Sequence, residues 1–284
     1  MMNDNYNRLN SHSQPVLMGV INTTPDSFSD GGAFLDPKRA LARVEQMLEA
    51  GAGIIDVGGE STRPGSAGVD EEEETRRVLP LISAVSRRWP VKISIDTSRF
   101  AVARQAYEAG ATMVNDVSAL RRHPQMAVWI AEKKLEVVLM HMAGTPADMQ
   151  LNPFYHDPVE EISAFLAERT AWALKQGIAP ESVIIDPGIG FGKRPADNLA
   201  LIRAVPRLKQ LGFRVLIGLS RKAFLGVISG EKEAAKRDPE SLAANLLAAA
   251  YGADILRVHD VAGTRKALTV LAALGLPETI TESG

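Results

Sequence analysis

Eight short apolar runs in this chain each end in a polar or charged residue, and helix-like stretches separate them. Alternating strands and helices predict a parallel sheet, and eight such units are the number that closes a (β/α)8 barrel. The residues that end the runs are Asn22, Asp56, Asp96, Asn115, His141, Asp186, then Ser220 with Lys222, and finally Arg257 with His259. Because the carboxyl ends of the strands open on one face of such a barrel, these residues should converge there.

One barrel domain over residues 16–276 accounts for the length of 284 residues better than two ordinary domains. Residues 1–15 and 277–284 are expected to be tails. The net charge of -2 gives no reason to expect nucleic acid or an anionic membrane as a partner. The chain has no cysteine, which removes disulfides, thiol nucleophiles and cysteine-based zinc sites. Since residues 1–15 lack an apolar leader and no run reaches about 18 apolar residues, we expect a cytoplasmic protein without a membrane span.

The segments between the strands show where helices and long loops lie. Three similar segments place Gly51, Gly110 and Gly252 at the end of a helix, directly before a strand. Two loops, 23–34 and 58–70, are longer than the usual connection and are predicted to be lids over the site. Helices are predicted at 37–50, 71–88, 99–109, 124–134, 157–177, 196–210, 239–251 and 264–275.

Two aspartates and an asparagine form the first candidate constellation. Asp96 and Asp186 follow runs rich in β-branched residues, and Asn115 ends another strand. Buried carboxylates are rare unless they are paired or hydrogen-bonded. At neighbouring strand ends the three side chains would form an accepting floor for the donor edge of a flat, nitrogen-rich heterocycle. The competing interpretation is that each aspartate only caps the helix that follows it.

Cationic residues form the second constellation. Lys222, Arg257 and His259 follow strands seven and eight, where barrels of this kind frequently bind anions. Arg63, in the loop after strand two, is a further cationic arm. A lone lysine or arginine is usually a solvated surface charge, but the concentration of these four on one face favours a compact polyanion such as pyrophosphate.

The remaining motifs bear on metals and phosphate. Asn22 and the loop after it offer oxygen ligands that suit Mg²⁺, whereas no zinc-ligand spacing is present. The segment DPGIGFGK (186–193) does not match a phosphate-binding P-loop, because Arg194 follows its lysine. Its glycines are expected to let the backbone approach a ligand, with Phe191 packed on it. For His141 a structural and a catalytic role both remain open.

Seven motifs resemble those of the dihydropteroate synthase family, and together they cover about residues 16–276. They are GVINTTPDSFSDGG (19–32), DVGGESTRPG (56–65), ISIDTS (93–98), NDVS (115–118), DPGIGFGK (186–193), GLSRKAFLG (218–226) and RVHDV (257–261). The first two are far more specific than any barrel-level pattern. The resemblance implies a transferase that joins 4-aminobenzoate to 6-hydroxymethyl-7,8-dihydropterin diphosphate with Mg²⁺, giving 7,8-dihydropteroate and pyrophosphate. It also implies inhibition by sulfonamides, which mimic aminobenzoate, and a homodimer formed through outer helices.

The resemblance also implies a role for each matching residue, with Asp96, Lys222 and Arg257 as the catalytic groups. The pterin would be held by Asp96, Asn115, Asp186 and Lys222, with Arg257 stacked over its ring. The diphosphate would be held by Asn22, Thr62, Arg63, Arg257 and His259, and Asn22 would also reach the metal. The aminobenzoate would lie near Thr62, Arg63, Pro64, Phe191, Lys222 and Ala223. Ala223 stands where relatives often carry a serine, so a backbone N–H at the start of the next helix would take over its hydrogen bond.

Three other functions are compatible with a barrel of this kind. A corrinoid-dependent methyltransferase that uses methyltetrahydrofolate would share the pterin pocket, but it would not need the cationic arms for a diphosphate. An aldolase would use Lys222 as a Schiff-base lysine. A non-catalytic barrel protein would have lost one or more site residues, and none is lost in this sequence.

Overall fold

The computed structural model describes residues 14–23, 37–60, 68–145 and 148–275. Within them, eight parallel strands form a closed barrel in chain order, with β8 paired to β1. This confirms the predicted fold. The strands are β1 (Val16–Asn22), β2 (Ile54–Gly58), β3 (Lys92–Asp96), β4 (Met113–Asp116), β5 (Glu136–Met140), β6 (Val183–Asp186), β7 (Arg214–Ile217) and β8 (Ile255–Val258).

Helices surround the barrel between successive strands, as the alternating pattern predicts. They are α1 (Pro37–Glu49), α2 (Glu71–Arg88), α3 (Phe100–Glu108), α4 (Met126–Lys133), α5 (Pro158–Lys175), α6 (Pro195–Arg203), α7 (Val205–Lys209), α8 (Ala223–Ser229), α9 (Asp238–Ala250) and α10 (Val261–Leu274). In the part of the chain that the structure describes, no helix is long and apolar enough to span a bilayer. Most of the two predicted lid loops, residues 24–34 of the first and 61–67 of the second, lies outside the described residues.

Three helix predictions differ from the structure. The predicted helix 196–210 is interrupted between α6 and α7, because Pro206 has no N–H to donate and its ring would clash with the carbonyl of Ile202. Helix α10 begins three residues earlier than expected, since the carboxylate of Asp260 accepts a hydrogen bond from the backbone N–H of Gly263 at 2.9 Å and caps the helix there. The short helix α8 was not given bounds in advance, although a helix start was expected beside Ala223.

The interior of the barrel explains why polar residues meet at its carboxyl end. Seven strands each contribute one side chain to an interior apolar layer, formed by Met18, Ile54, Met113, Val138, Ile184, Leu216 and Ile255. Side chains alternate along a strand, so residues two or four positions further on also point inward. In β1, β2, β4, β6 and β8 these residues are Asn22, Asp56, Asn115, Asp186 and Arg257.

An ion cluster lies at the opposite, amino-terminal end of the strands. Glu136, the first residue of β5, pairs with both Lys92 of β3 and Arg214 of β7. Burial alone would raise the pKa of Glu136, but the hydrogen bonds from Lys92 and Arg214 outweigh it and lower that pKa. The carboxylate therefore stays ionised and ties three strands together away from the candidate site.

Candidate active site

Arg257 lies at the centre of the polar floor. Its Nε donates to Oδ2 of Asp56 at 2.7 Å, and its Nη2 donates to Oδ2 of Asp96 at 2.7 Å. The side-chain amide of Asn115 donates to the same oxygen of Asp56 at 3.2 Å. These bonds join the carboxyl ends of β2, β3, β4 and β8 into one network, which brings the predicted residues Asp96, Asn115 and Arg257 together.

Asp56 is a site residue that the sequence reasoning missed. It was recognised as the polar end of an apolar run but was given no role. Its side chain is fully buried, and it links Arg257 to Asn115. The sequence marks it as the end of an apolar run and the first residue of DVGGESTRPG (56–65), and the structure directs its side chain into the barrel, two residues after the interior residue Ile54.

The electrostatics of this network follow from burial and close charges. Burial raises the pKa of Asp96, the positive charge of Arg257 opposes that change, and the negative charge of Asp56 adds to it. For Arg257, burial would lower the pKa, but its two carboxylate partners raise it, so the guanidinium stays protonated. The floor therefore holds the positive charge of Arg257 beside the carboxylates of Asp56 and Asp96. Asp96 takes up a proton more readily than an exposed aspartate does.

Asp186 and Lys222 extend the floor across β6 and β7. One carboxylate oxygen of Asp186 accepts the backbone N–H of Gly188 at 2.7 Å. Burial raises the pKa of Asp186, against the hydrogen bond from Gly188 and the positive charge of Lys222. Burial lowers the pKa of Lys222 to about 8, although Asp186 opposes that shift. The Lys222 ammonium lies 4.1 Å from the ring centroid of Phe191, close enough for a cation–π contact.

The glycines of the loop after β6 pack against protein. Gly188 has φ +68°, and a Cβ there would lie 1.9 Å from the backbone oxygen of His141. Gly190 has φ +82°, and a Cβ there would lie 3.0 Å from Cδ of Lys222. Gly188 thus lies against the end of β5, and Gly190 lies against Lys222. Only glycine combines this left-handed backbone with so little space.

Of the five residues predicted to hold the diphosphate, here called the diphosphate rim, three lie in the described part of the chain: Arg257, His259 and Asn22. Nδ1 of His259 lies 3.0 Å from Oγ of Ser220, and its backbone oxygen accepts from Nη2 of Arg43 at 2.8 Å. Asn22 ends β1, and a Cβ on Gly58 would lie 3.5 Å from Oδ1 of Asn22 and 3.7 Å from a carboxylate oxygen of Asp96. Asn22 therefore borders the floor near Asp96.

The other predicted rim and aminobenzoate residues divide into two groups. Ala223 is exposed at the first position of α8, next to Lys222. Thr62, Arg63 and Pro64 lie outside the described residues.

His141 has a buried partner that the sequence did not reveal. Its Nδ1 lies 3.0 Å from Nζ of Lys193, which is 3% exposed. Burial, together with the positive charges of Lys193 and Arg121, lowers the pKa of His141 to about 3. The imidazole is therefore neutral near pH 7, which argues against a role as a general acid there.

Comparisons with known proteins agree with this geometry. The model of a family described as "Pterin binding enzyme" matches residues 18–259. A dihydropteroate synthase from Synechocystis sp. is 44% identical over 258 residues, which cover 91% of this chain and 89% of that protein.

Solved structures give the same result. The dihydropteroate synthase of Xanthomonas albilineans, solved with 4-aminobenzoic acid, is 47% identical, with a TM-score of 0.86 over 92% of this chain and 93% of that one. The Yersinia pestis dihydropteroate synthase, solved in a sulfonamide drug complex, is 41% identical, with a TM-score of 0.87 over 92% of this chain and 94% of that one. With this identity over nearly the whole length, the chain belongs to the dihydropteroate synthases, a family of transferases in folate biosynthesis.

Proposed function

We propose that this chain condenses 4-aminobenzoate with 6-hydroxymethyl-7,8-dihydropterin diphosphate to give 7,8-dihydropteroate and pyrophosphate. The observation that carries the proposal is the floor in which Arg257 joins Asp56 to Asp96 while Asn115 and Asp186 border it. A pterin ring presents several N–H donors along one edge, and carboxylate and amide oxygens accept such donors in pairs.

In this proposal the pterin lies on the floor, with its N–H groups directed to Asp96, Asn115 and Asp186. Lys222 donates from the side of β7, and Arg257 stacks over the ring. The ion pairs of Arg257 support this arrangement, because they fix its guanidinium at the floor before substrate binds. A preorganised charge costs little reorganisation during the reaction.

The reaction separates charge, which determines what the side chains must do. The bond between the pterin methylene carbon and the diphosphate oxygen breaks, and its electron pair leaves with the diphosphate. The carbon becomes cationic, and the aryl amine attacks it and then loses a proton. The amine is already nucleophilic and needs no strong base. Asp96 stabilises the electron-poor ring, while Lys222 and Arg257 stabilise negative charge on the departing group.

We assign the diphosphate to the rim formed by Asn22, Thr62, Arg63, Arg257 and His259, with Asn22 as a ligand of Mg²⁺. Among the described residues no group of three His, Asp or Glu side chains could hold a metal. The oxygen of Asn22 near Asp96 suits an ion that takes most of its ligands from substrate and water. Bound Mg²⁺ would neutralise charge on the diphosphate.

The aminobenzoate is assigned to the space beside Phe191 and Lys222, near Thr62, Arg63, Pro64 and Ala223. A benzoate ring can pack on Phe191, and its carboxylate is attracted by the ammonium of Lys222. Sulfonamides have the same flat aryl amine, and the Yersinia pestis relative was solved with such a drug. We therefore propose that sulfonamides compete with aminobenzoate in this protein.

The deciding experiment incubates the purified chain with the pterin diphosphate, 4-aminobenzoate and Mg²⁺, and follows both pyrophosphate and dihydropteroate. Equal amounts of both products are expected, and each should depend on all three additions. Pyrophosphate released without aminobenzoate would indicate hydrolysis instead. Absence of dihydropteroate under these conditions would refute the proposed function.

A homodimer and a cytoplasmic location are further proposals. Outer helices α8 and α10 expose Val227, Ile228, Val270 and Leu274, which are large apolar side chains suited to an interface between copies. Light scattering should then give twice the mass of one chain, and a monomeric mass at micromolar concentration would contradict the dimer. Fractionation of the source cells should place the protein with cytoplasmic markers, and recovery with membranes would contradict that location.

A further inference from the structure

A buried pair of titratable side chains, Lys193 and His141, lies behind the candidate site and has no part in the proposed chemistry. Lys193 is 3% exposed and His141 is 8% exposed. A buried lysine is rare and costs free energy unless its ammonium is well hydrogen-bonded. The hydrogen bonds of Lys193 therefore indicate which parts of the structure it stabilises.

Lys193 joins two separate segments. Its Nζ lies 3.0 Å from Nδ1 of His141 and donates to the backbone oxygen of Phe191 at 2.9 Å. The backbone oxygen of His141 lies 3.5 Å from the same nitrogen. The ammonium thus links the residue after β5 to the middle of the loop after β6.

The histidine is itself held in place. Its ring meets the ring of Phe165 edge-on, with centroids 4.8 Å apart, and its backbone N–H donates to the backbone oxygen of Asp186 at 3.0 Å. Because the imidazole is neutral, Nδ1 can accept a hydrogen bond from Nζ of Lys193, whose pKa burial lowers to about 7. His141 is thus a fixed acceptor against which the loop after β6 is positioned.

We propose that Lys193 and His141 act as positioning residues, which set Phe191 against Lys222 and thereby shape the aminobenzoate side of the site. Lys193 holds the carbonyl of Phe191 on one side of the loop, while the ring of Phe191 contacts the ammonium of Lys222 on the other. This inference rests on the proposed function for its kinetic consequence. Its structural consequence is independent of that function.

Kinetic measurements with both substrates varied give the first test. Lys193→Met keeps the length and apolar stem of the side chain but removes all three donors. It should raise KM for 4-aminobenzoate about tenfold, because a displaced Phe191 no longer packs on the benzoate ring. The KM for the pterin diphosphate should change clearly less than that for 4-aminobenzoate, since Lys193 donates to His141 and Phe191 and to none of the pterin residues Asp96, Asn115, Asp186 and Lys222. An equal change in both KM values, or none in either, would overturn the proposal.

A matched pair of substitutions at His141 separates positioning from packing. His141→Asn places an amide oxygen near the position of Nδ1, and His141→Leu removes the acceptor while keeping an apolar side chain. The leucine variant should reproduce the aminobenzoate defect of Lys193→Met, and the asparagine variant should restore most of the affinity. Equal KM values for the two His141 variants would contradict a role for the acceptor. This pair also decides the question if Lys193→Met does not fold.

Crystal structures of the wild type and a folded variant give a readout that needs no activity. Without the Lys193 contacts, Phe191 should move so that its ring centroid lies beyond about 6 Å from Nζ of Lys222, outside cation–π range. An unmoved Phe191 would refute the positioning role even in an inactive protein. A wild-type protein that makes no dihydropteroate would instead refute the proposed function.

Discussion

The Nε of Arg257 donates to the fully buried carboxylate of Asp56 at 2.7 Å, although 201 residues separate the two in the chain. This bond ties β8 to β2 and fixes one edge of the guanidinium. The neighbouring Nη2 pairs with Asp96. A substrate therefore meets an arginine whose orientation is set by the protein, with the Asp56–Arg257 pair as its support.

Removal of Asp56 should lower the stability of the folded protein. Asp56→Ala leaves the partly buried Arg257 with one carboxylate fewer, and we expect a loss of about 2 kcal/mol in the free energy of unfolding, less than for a fully buried pair because Arg257 keeps Asp96. Asp56→Asn keeps an acceptor oxygen and should lose less. Urea denaturation measures the free energy of unfolding of both variants, with Glu233→Ala as the control. Glu233 pairs with Lys236 while both are exposed, so its loss should cost less than about 1 kcal/mol. Equal costs for Asp56→Ala and Glu233→Ala would contradict the buried support.

Activity should have a narrow optimum in pH. Burial raises the pKa of Asp96 to about 7, so the carboxylate that accepts the pterin donors is fully formed only above that pH. Burial lowers the pKa of Lys222 to about 8, so its positive charge is lost above that value. The kcat/KM for the pterin diphosphate should rise with pH through about 7 and fall above about 8. A flat profile from about pH 5.5 to 7 would exclude the proposed role of the ionised Asp96.

Substitution of Gly188 should destabilise the protein strongly. Substitution of Gly212, another glycine with a left-handed backbone, should destabilise it much less. A Cβ at Gly188 would lie 1.9 Å from a backbone oxygen, while Gly212, with φ +86°, has no atom within 4 Å of a built Cβ. Gly212→Ala should therefore cost about 1 kcal/mol, the price of a left-handed backbone alone. Gly188→Ala should cost at least about 3 kcal/mol, because backbone must also move. Similar melting temperatures for the two variants would contradict the packing described for this loop.

Glu136 should contribute to stability in a way that depends on pH. Its pKa is lowered in the folded state, so its contribution is fully present above its ordinary value of 4.5 and is lost as pH falls through the lowered pKa. Glu136→Gln should destabilise the protein by about 1 kcal/mol at pH 7, a modest figure because Lys92 and Arg214 are partly exposed. The difference from wild type should shrink below about pH 4. A difference that is constant from pH 7 to 3 would rule out the ion cluster as its cause.

The sequence predicted the barrel because alternation and strand number are local properties of the chain. The polar residue that ends each strand can be read directly from the sequence. Asn115 and Asp186 point into the barrel because the residues two positions before them, Met113 and Ile184, do so. The helix break at Pro206 was missed, because helix 196–210 was predicted without a break although a proline inside a helix removes a donor. Strand ends were therefore assigned more accurately than helix ends.

Partners could not be predicted in the same way. Asp56 and Arg257, or His141 and Lys193, approach only when the sheet closes and the loop after β6 folds back. No local pattern marks such pairs, because the two members of each lie in segments that are far apart in the chain. The glycines after β6 were expected to approach a ligand, and which backbone they approach became visible only with the fold.

Calorimetry can measure the binding of 6-hydroxymethyl-7,8-dihydropterin diphosphate to the wild type and to Asp96→Asn. It tests directly whether the carboxylate floor holds the pterin. The wild type should bind, and Asp96→Asn should lose at least about tenfold in affinity, the value of a hydrogen bond to a charged group. Glu233→Gln, on the exposed surface, should bind like the wild type. Undiminished affinity in Asp96→Asn would show that the pterin does not rest on this floor.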